Sequence, residues 1–142
     1  MINVIRYKKY VFGYIIRHSK KKGVNFLTPP SLTHQIGSLN HKKGHVILPH
    51  LKIKKKGKVN HTSEVLIIQK GKVRLDIYSN KKKYLFSKIL KKDDILILIK
   101  GGRGFKILEP CSIIEVKQGP YSKSQDKIRF NPIDSKKIKI KK

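Results

Sequence analysis

Six histidines, one cysteine and eight carboxylates are the side chains that could do acid–base, metal or nucleophile chemistry in this chain. Their spacing narrows the choice. His50 and Lys52 stand two apart around Leu51, so on a strand they would present an imidazole and an ammonium to one face, while His45 would face away. Glu64 opens an apolar run, where it would set a carboxylate at a strand start; Arg103, between Gly102 and Gly104, would set a guanidinium in a turn. An imidazole beside a carboxylate can hold a divalent ion or relay a proton. Cys111 follows Pro110 with no histidine placed to activate it, so it reads as a small buried hydrophobe. A lone cysteine also excludes an internal disulfide and a cysteine-built zinc site. No nucleophile elbow and no phosphate-cradling glycine loop occurs.

The elements that must position these groups are short strands. Apolar runs at 45–50, 64–69, 72–78, 84–90, 95–99, 105–108 and 112–117 are separated by turn residues. Lys70-Gly71 predicts a hairpin between 64–69 and 72–78, and Glu109-Pro110 predicts a second turn. Val73, Leu75 and Ile77 alternate with Arg74, Asp76 and Tyr78, the pattern of a strand with one face buried. Residues 11–17 and 24–27 add β-branched and aromatic runs, and no apolar helical period lasts three turns. An all-β sandwich or barrel follows. Residues 1–39 are read as strands completing or flanking a barrel, residues 40–130 as the barrel, and residues 131–142 as a basic flexible tail.

Gly44-x5-His50-x-Lys52, then Glu64-x6-Gly71, then Gly101-Gly102-Arg103-Gly104-Phe105, resembles the two motifs of the cupin superfamily. The runs "EVLIIQKGKVRLDIY", "GGRGFKILE", "IIEVKQGPY" and "DKIRF" are similar to small bacterial cupins found among surface-polysaccharide genes. This resemblance implies a single-domain double-stranded β-helix, the antiparallel jelly roll, with His50, Lys52, Glu64 and Arg103 converging at the barrel mouth. In the family the positions of Lys52 and Arg103 carry histidine ligands. Arginine has no free lone pair and lysine is protonated, so only His50 and Glu64 remain as ligands, with His61 and His45 as replacements. The expectation is a metal-free, cofactor-free site. Glu64 pairs with Arg103 or Lys52 in partial burial, and the surplus positive charge takes an anionic small molecule or sugar. Family members that act on sugars without metal imply catalytic parts for His50, Tyr78 and Tyr84. The competing readings are a non-catalytic anion-binding cupin and a basic nucleic-acid-binding β-barrel.

Thirty-five basic residues against eight acidic ones give a charge of +27 in 142 residues. Only five of the basic residues are arginine, whereas base readout favours the arginine fork. The chain has no alanine and 21 isoleucines, a composition that an AT-rich genome imposes on any protein. Nucleic-acid binding is therefore expected to be weak and indifferent to sequence. No apolar run approaches the ~20 residues of a membrane span, and the N-terminus lacks the form of a signal peptide. A cytoplasmic homodimer is the expectation.

Overall fold

Alternation decides which residues form the sheet and which face they bury. The computed structural model describes residues 1–17, 21–51, 63–118 and 128–142. Of these, 55% are strand and none is α-helical. The strands are β1 (Ile2–Tyr7), β2 (Tyr10–Ile16), β3 (Gly23–Phe26), β4 (Gly37–Asn40), β5 (Glu64–Tyr78), β6 (Tyr84–Lys91), β7 (Ile95–Leu98) and β8 (Gly102–Lys117). Six of them make one antiparallel sheet, ordered β1-β2-β7-β5-β6 with β8 along the other edge of β5, and the sheet curls into a half-barrel. β3 and β4 form a separate two-stranded sheet.

The expected hairpin at Lys70-Gly71 is not formed. Residues 64–78 are one strand, and the expected turn at Glu109-Pro110 likewise lies inside the continuous β8. Gly71 has φ +83°, which reads in sequence as a turn but here serves a bulge. A side chain at Gly71 would collide with the Pro110 carbonyl, so the two turn signals oppose each other across the ladder. Register shifts cluster there, between Ile68 and Val73. They bend β5 and β8 together instead of reversing either one. The first half of β5 pairs with β7 and the second half with β6, so this one strand joins both halves of the sheet.

The concave face carries the core. Ile5, Ile15, Ile68, Val73, Leu75, Ile77, Leu90 and Leu96 are each at most 1% exposed. At ~1.5–3 kcal/mol for each fully buried aliphatic side chain, these residues dominate the stabilisation.

Two further expectations are corrected. Residues 45–50 form no strand: they find no ladder partner among the described residues, and Val46, Ile47 and Leu48 are 54–76% exposed. The C-terminal residues, expected to be a flexible tail, are held against β6. Lys139 O accepts from Ser87 N, Lys141 N donates to Ser87 O, and Ile140 bridges Ser87 in parallel. The free edge of β6 supplies the ladder that a lysine-rich sequence alone does not advertise. No helix among the described residues is long and apolar enough to cross a membrane.

Candidate functional site

The bend at Gly71 brings the two ends of the β5–β8 ribbon toward each other. In the ladder, Glu64 lies opposite Lys117, and Arg103 lies opposite Ile77 at the far end of β5. Directly opposed residues share a face, so Glu64 and Arg103 both point to the concave side. There they meet: Arg103 Nε donates to Glu64 Oε1 at 2.9 Å, and Nη2 lies 2.5 Å from Oε2. Glu64 is 8% exposed. The fork matches both carboxylate oxygens, which makes the pair shorter and stronger than a surface bridge. Of the two partners the resemblance implies for Glu64, Arg103 and Lys52, the pairing is with Arg103, and Lys52 lies outside the described residues.

A second pair lies on the other face of β5, where Arg74 and Asp76 alternate with Val73, Leu75 and Ile77. Arg74 Nε donates to Asp76 Oδ1 at 2.8 Å and Nη2 to Oδ2 at 3.0 Å. Residues two apart on β5 share a face, so this fork closes within one strand. Asp76 is 3% exposed and also accepts from Ser87 Oγ at 2.6 Å. Because Ser87 spends its proton on Asp76, the Tyr84 hydroxyl 2.8 Å away is the donor to Ser87, and it accepts from Lys139 N at 2.8 Å. The hydrogen bond to Asp76 raises the Arg74 guanidinium above its ordinary value, its burial opposing and the Asp76 charge reinforcing that rise.

Both pairs line one open cleft of about 1080 Å³. Its charged lining is Glu64, Asp76 and Glu115 against Arg74, Arg103, Lys106, Lys117 and Arg129. The cations outnumber the acids, and two of the three acids already hold a guanidinium. Tyr78, Phe105 and Phe130 give the cleft aromatic walls, with the Tyr78 and Phe130 rings edge-on at 5.0 Å.

His50 is not part of this assembly. It lies exposed in the irregular segment before residue 51, and its Nδ1 donates to Leu48 O at 2.9 Å. Tyr84 does not line the cleft, and Tyr78, which does, accepts from Ile133 N at 3.0 Å. The three residues given catalytic parts therefore do not converge. Lys52 and the replacement ligand His61 lie outside the described residues. His45 stacks on His41 at 3.9 Å, away from Glu64 and Arg103. Among the described residues no three His, Cys, Asp or Glu side chains gather as a metal site would need.

The Arg74–Asp76 fork is legible in the alternation of β5, because residues two apart on a strand share a face. Arg129 and Phe130 sit in a run whose one signal in the sequence is the family resemblance. His41-x3-His45 is a spacing that signals a metal pair only on a helix, and no helix forms there. Lys88 carried no signal: it is 8% exposed on the face shared with Leu75, and it donates to Lys142 O at 2.6 Å. Burial lowers its ammonium from the ordinary 10.5, with Arg17 and Lys141 adding repulsion.

No family model, no curated protein and no solved structure matches this chain.

Proposed function

We propose that this chain is a non-catalytic, cupin-like barrel protein that holds an anionic carbohydrate derivative, a sugar phosphate or sugar nucleotide, in the cleft. One observation carries the reading: the carboxylate that would anchor a metal in such a fold is clamped by Arg103. Glu64 is thereby spent on a guanidinium. Binding rather than turnover follows from the positions of His50 and Tyr84, which are outside the cleft, and of Tyr78, whose hydroxyl oxygen is engaged by a backbone amide. A proton relay needs a base and an acid within ~3 Å of one reacting centre, and His50, Tyr78 and Tyr84 do not form such a couple.

Lys106 and Arg129 supply the excess positive charge, and a phosphate entering from solvent meets it without displacing either ion pair. Phe105, Phe130 and Tyr78 offer flat faces for a sugar ring or a base. Calorimetric titration with a sugar nucleotide, a sugar phosphate, inorganic phosphate and the neutral sugar tests the reading. The expected result is binding of the phosphorylated sugars alone, weakened at least about tenfold by Lys106→Gln with Arg129→Gln, a loss of ~1.4 kcal/mol. Equal affinity for the neutral sugar, or no binding of any phosphorylated sugar at millimolar concentration, overturns it.

A further inference from the structure

Residues 128–142 run from the cleft to the edge of β6, and each end is held by a tyrosine hydroxyl. At the near end Arg129, Phe130 and Pro132 line the cleft, and the Phe130 ring stands edge-on to Tyr78. Glycine at position 102 makes room for that ring, since a Cβ there would lie 3.2 Å from Phe130 Cζ. The Ile133 amide donates to Tyr78 Oη at 3.0 Å. At the far end Lys139 N donates to Tyr84 Oη at 2.8 Å. Ser87 N donates to Lys139 O, and Lys141 N donates to Ser87 O. The Lys141 ammonium lies 4.5 Å from the centre of the Phe86 ring. Between the two ends, a 3₁₀ turn at Ser135–Lys137 is closed by Asp134. Its Oδ1 accepts from Lys136 N, and its backbone oxygen accepts from Lys137 N.

This segment is held by hydrogen bonds and not by a core. None of residues 128–142 is buried, and Ile128 and Ile140 are 81% and 58% exposed. An element with few buried apolar contacts opens locally while the sheet beneath it stays folded. Its stability is then a sum over a few hydrogen bonds, so each one counts. We propose that residues 128–142 are a strap that opens and closes as one body, and that Tyr84, from outside the cleft, positions Arg129 and Phe130 within it. Tyr84 acts through the strap: its hydroxyl holds Lys139, the turn at Ser135–Lys137 keeps the spacer stiff, and Ile133 is thereby held on Tyr78. Closed, the strap gives the cleft a guanidinium and an aromatic wall. Open, it withdraws both. The effect on ligands rests on the reading of the cleft as an anion site, whereas the motion does not. An anion touching Arg129 favours the closed form, and so tightens contacts at β6 that it never meets.

Amide hydrogen exchange on the full chain, followed by NMR without ligand, tests the strap. Lys139→Pro with Lys141→Pro removes two donors at the far end and changes no residue of the cleft or of β6. Lys139→Gln with Lys141→Gln removes the same two charges and keeps both amides. The expected result is exchange at Ile133 at least about tenfold faster in the proline variant, with β2 and β7 as protected as before. Tyr84→Phe, which keeps the ring and loses the hydroxyl, should speed Ile133 about threefold. Exchange at Ile133 that is unchanged in either variant, or that the glutamine variant speeds as much as the proline variant does, overturns the proposal. Calorimetry with glucose 1-phosphate then reads the cleft. The proline variant should bind it at least about fivefold more weakly than the glutamine variant. In the natural chain, saturating glucose 1-phosphate should slow exchange at Lys139 and Lys141 by at least that factor. Equal affinity of the two variants overturns the positioning role. A natural chain that does not bind glucose 1-phosphate counts against the anion reading alone, and exchange at Ile133 then decides the strap. Should the proline variant lose β2 and β7 protection, Tyr84→Phe decides alone.

Discussion

Two arginine–carboxylate forks sit in one cleft and are built by opposite routes. Arg74–Asp76 closes within one strand, two residues apart, and Asp76 is braced by Ser87 from the next strand. Arg103–Glu64 joins the far ends of two strands and exists only because the ribbon between them bends. The first fork depends on alternation, which any straight strand provides. The second depends on a bulge. The local fork is therefore expected to survive changes that open the other.

The sharpest way to test the difference begins with the local fork. Asp76→Ala leaves the Arg74 guanidinium, 17% exposed, without its partner and frees Ser87 from its acceptor. Breaking a buried ion pair on one side typically costs 3–5 kcal/mol, and the partial exposure of Arg74 puts the expected loss at the low end, about 3 kcal/mol. Because Ser87 and Tyr84 also hold Lys139, hydrogen exchange should show the C-terminal residues releasing from β6. Urea unfolding reads the first effect. A loss below about 1 kcal/mol, with the C-terminal residues still protected, would show that the network merely decorates the strand.

Gly71→Ala separates the two forks. The new Cβ meets the Pro110 carbonyl at a backbone of φ +83°, which alanine adopts at a cost of about 1–2 kcal/mol before the collision is counted. The expected total is about 2 kcal/mol or slightly more. The bend relaxes, so Glu64 and Arg103 part while Arg74 and Asp76 remain joined. Double-mutant cycles in urea should then find the Glu64–Arg103 coupling reduced in the Gly71→Ala background and the Arg74–Asp76 coupling unchanged. Equal loss of both couplings would mean that the bulge does not distinguish them.

This contrast also explains how much could be read from the sequence. Alternation at Val73, Leu75 and Ile77 located the core face of β5 correctly, because a period of two has one structural meaning. The Lys70-Gly71 signal has two. A glycine at positive φ serves a tight turn or a bulge, and the choice is made by what lies across the ladder, here Pro110 some forty residues away. The Glu64–Arg103 pairing was legible from charge once the two residues were placed together. The position of His50 was not legible, because the apolar run at residues 46–48 looks like a strand whether or not another strand is free to pair with it. The docked C-terminus was hidden for the same reason: a lysine-rich segment is held by backbone groups of β6, and backbone groups leave no mark on composition.

Lys88 supplies the counterpart to both forks, as a buried cation with no Asp or Glu side chain among its hydrogen bonds. It donates to Lys142 O, and burial lowers its pKa below the ordinary 10.5. The sign of its linkage follows. In the window between the lowered folded value and 10.5, the unfolded chain holds a proton that the folded chain has released, so this group adds stability as pH rises through the window. Arg74 contributes the opposite way: the hydrogen bond to Asp76 raises its folded value above that of an ordinary arginine, so its stabilisation is present throughout the ordinary pH range and is lost only beyond it. Replacing Lys88 by methionine keeps the side chain's length, removes the desolvated charge and gives up one hydrogen bond. At neutral pH these effects oppose each other, and the expected net change is within about 1 kcal/mol. The informative readout is the slope. Urea unfolding of the natural chain from pH 8 upward should carry a rising component, on top of the background from the exposed lysines, that is absent in Lys88→Met. Parallel slopes in the two proteins would mean that Lys88 keeps its proton equally in both states, and the difference between a cation forked to an acidic side chain and one bound to Lys142 O would then have no thermodynamic content.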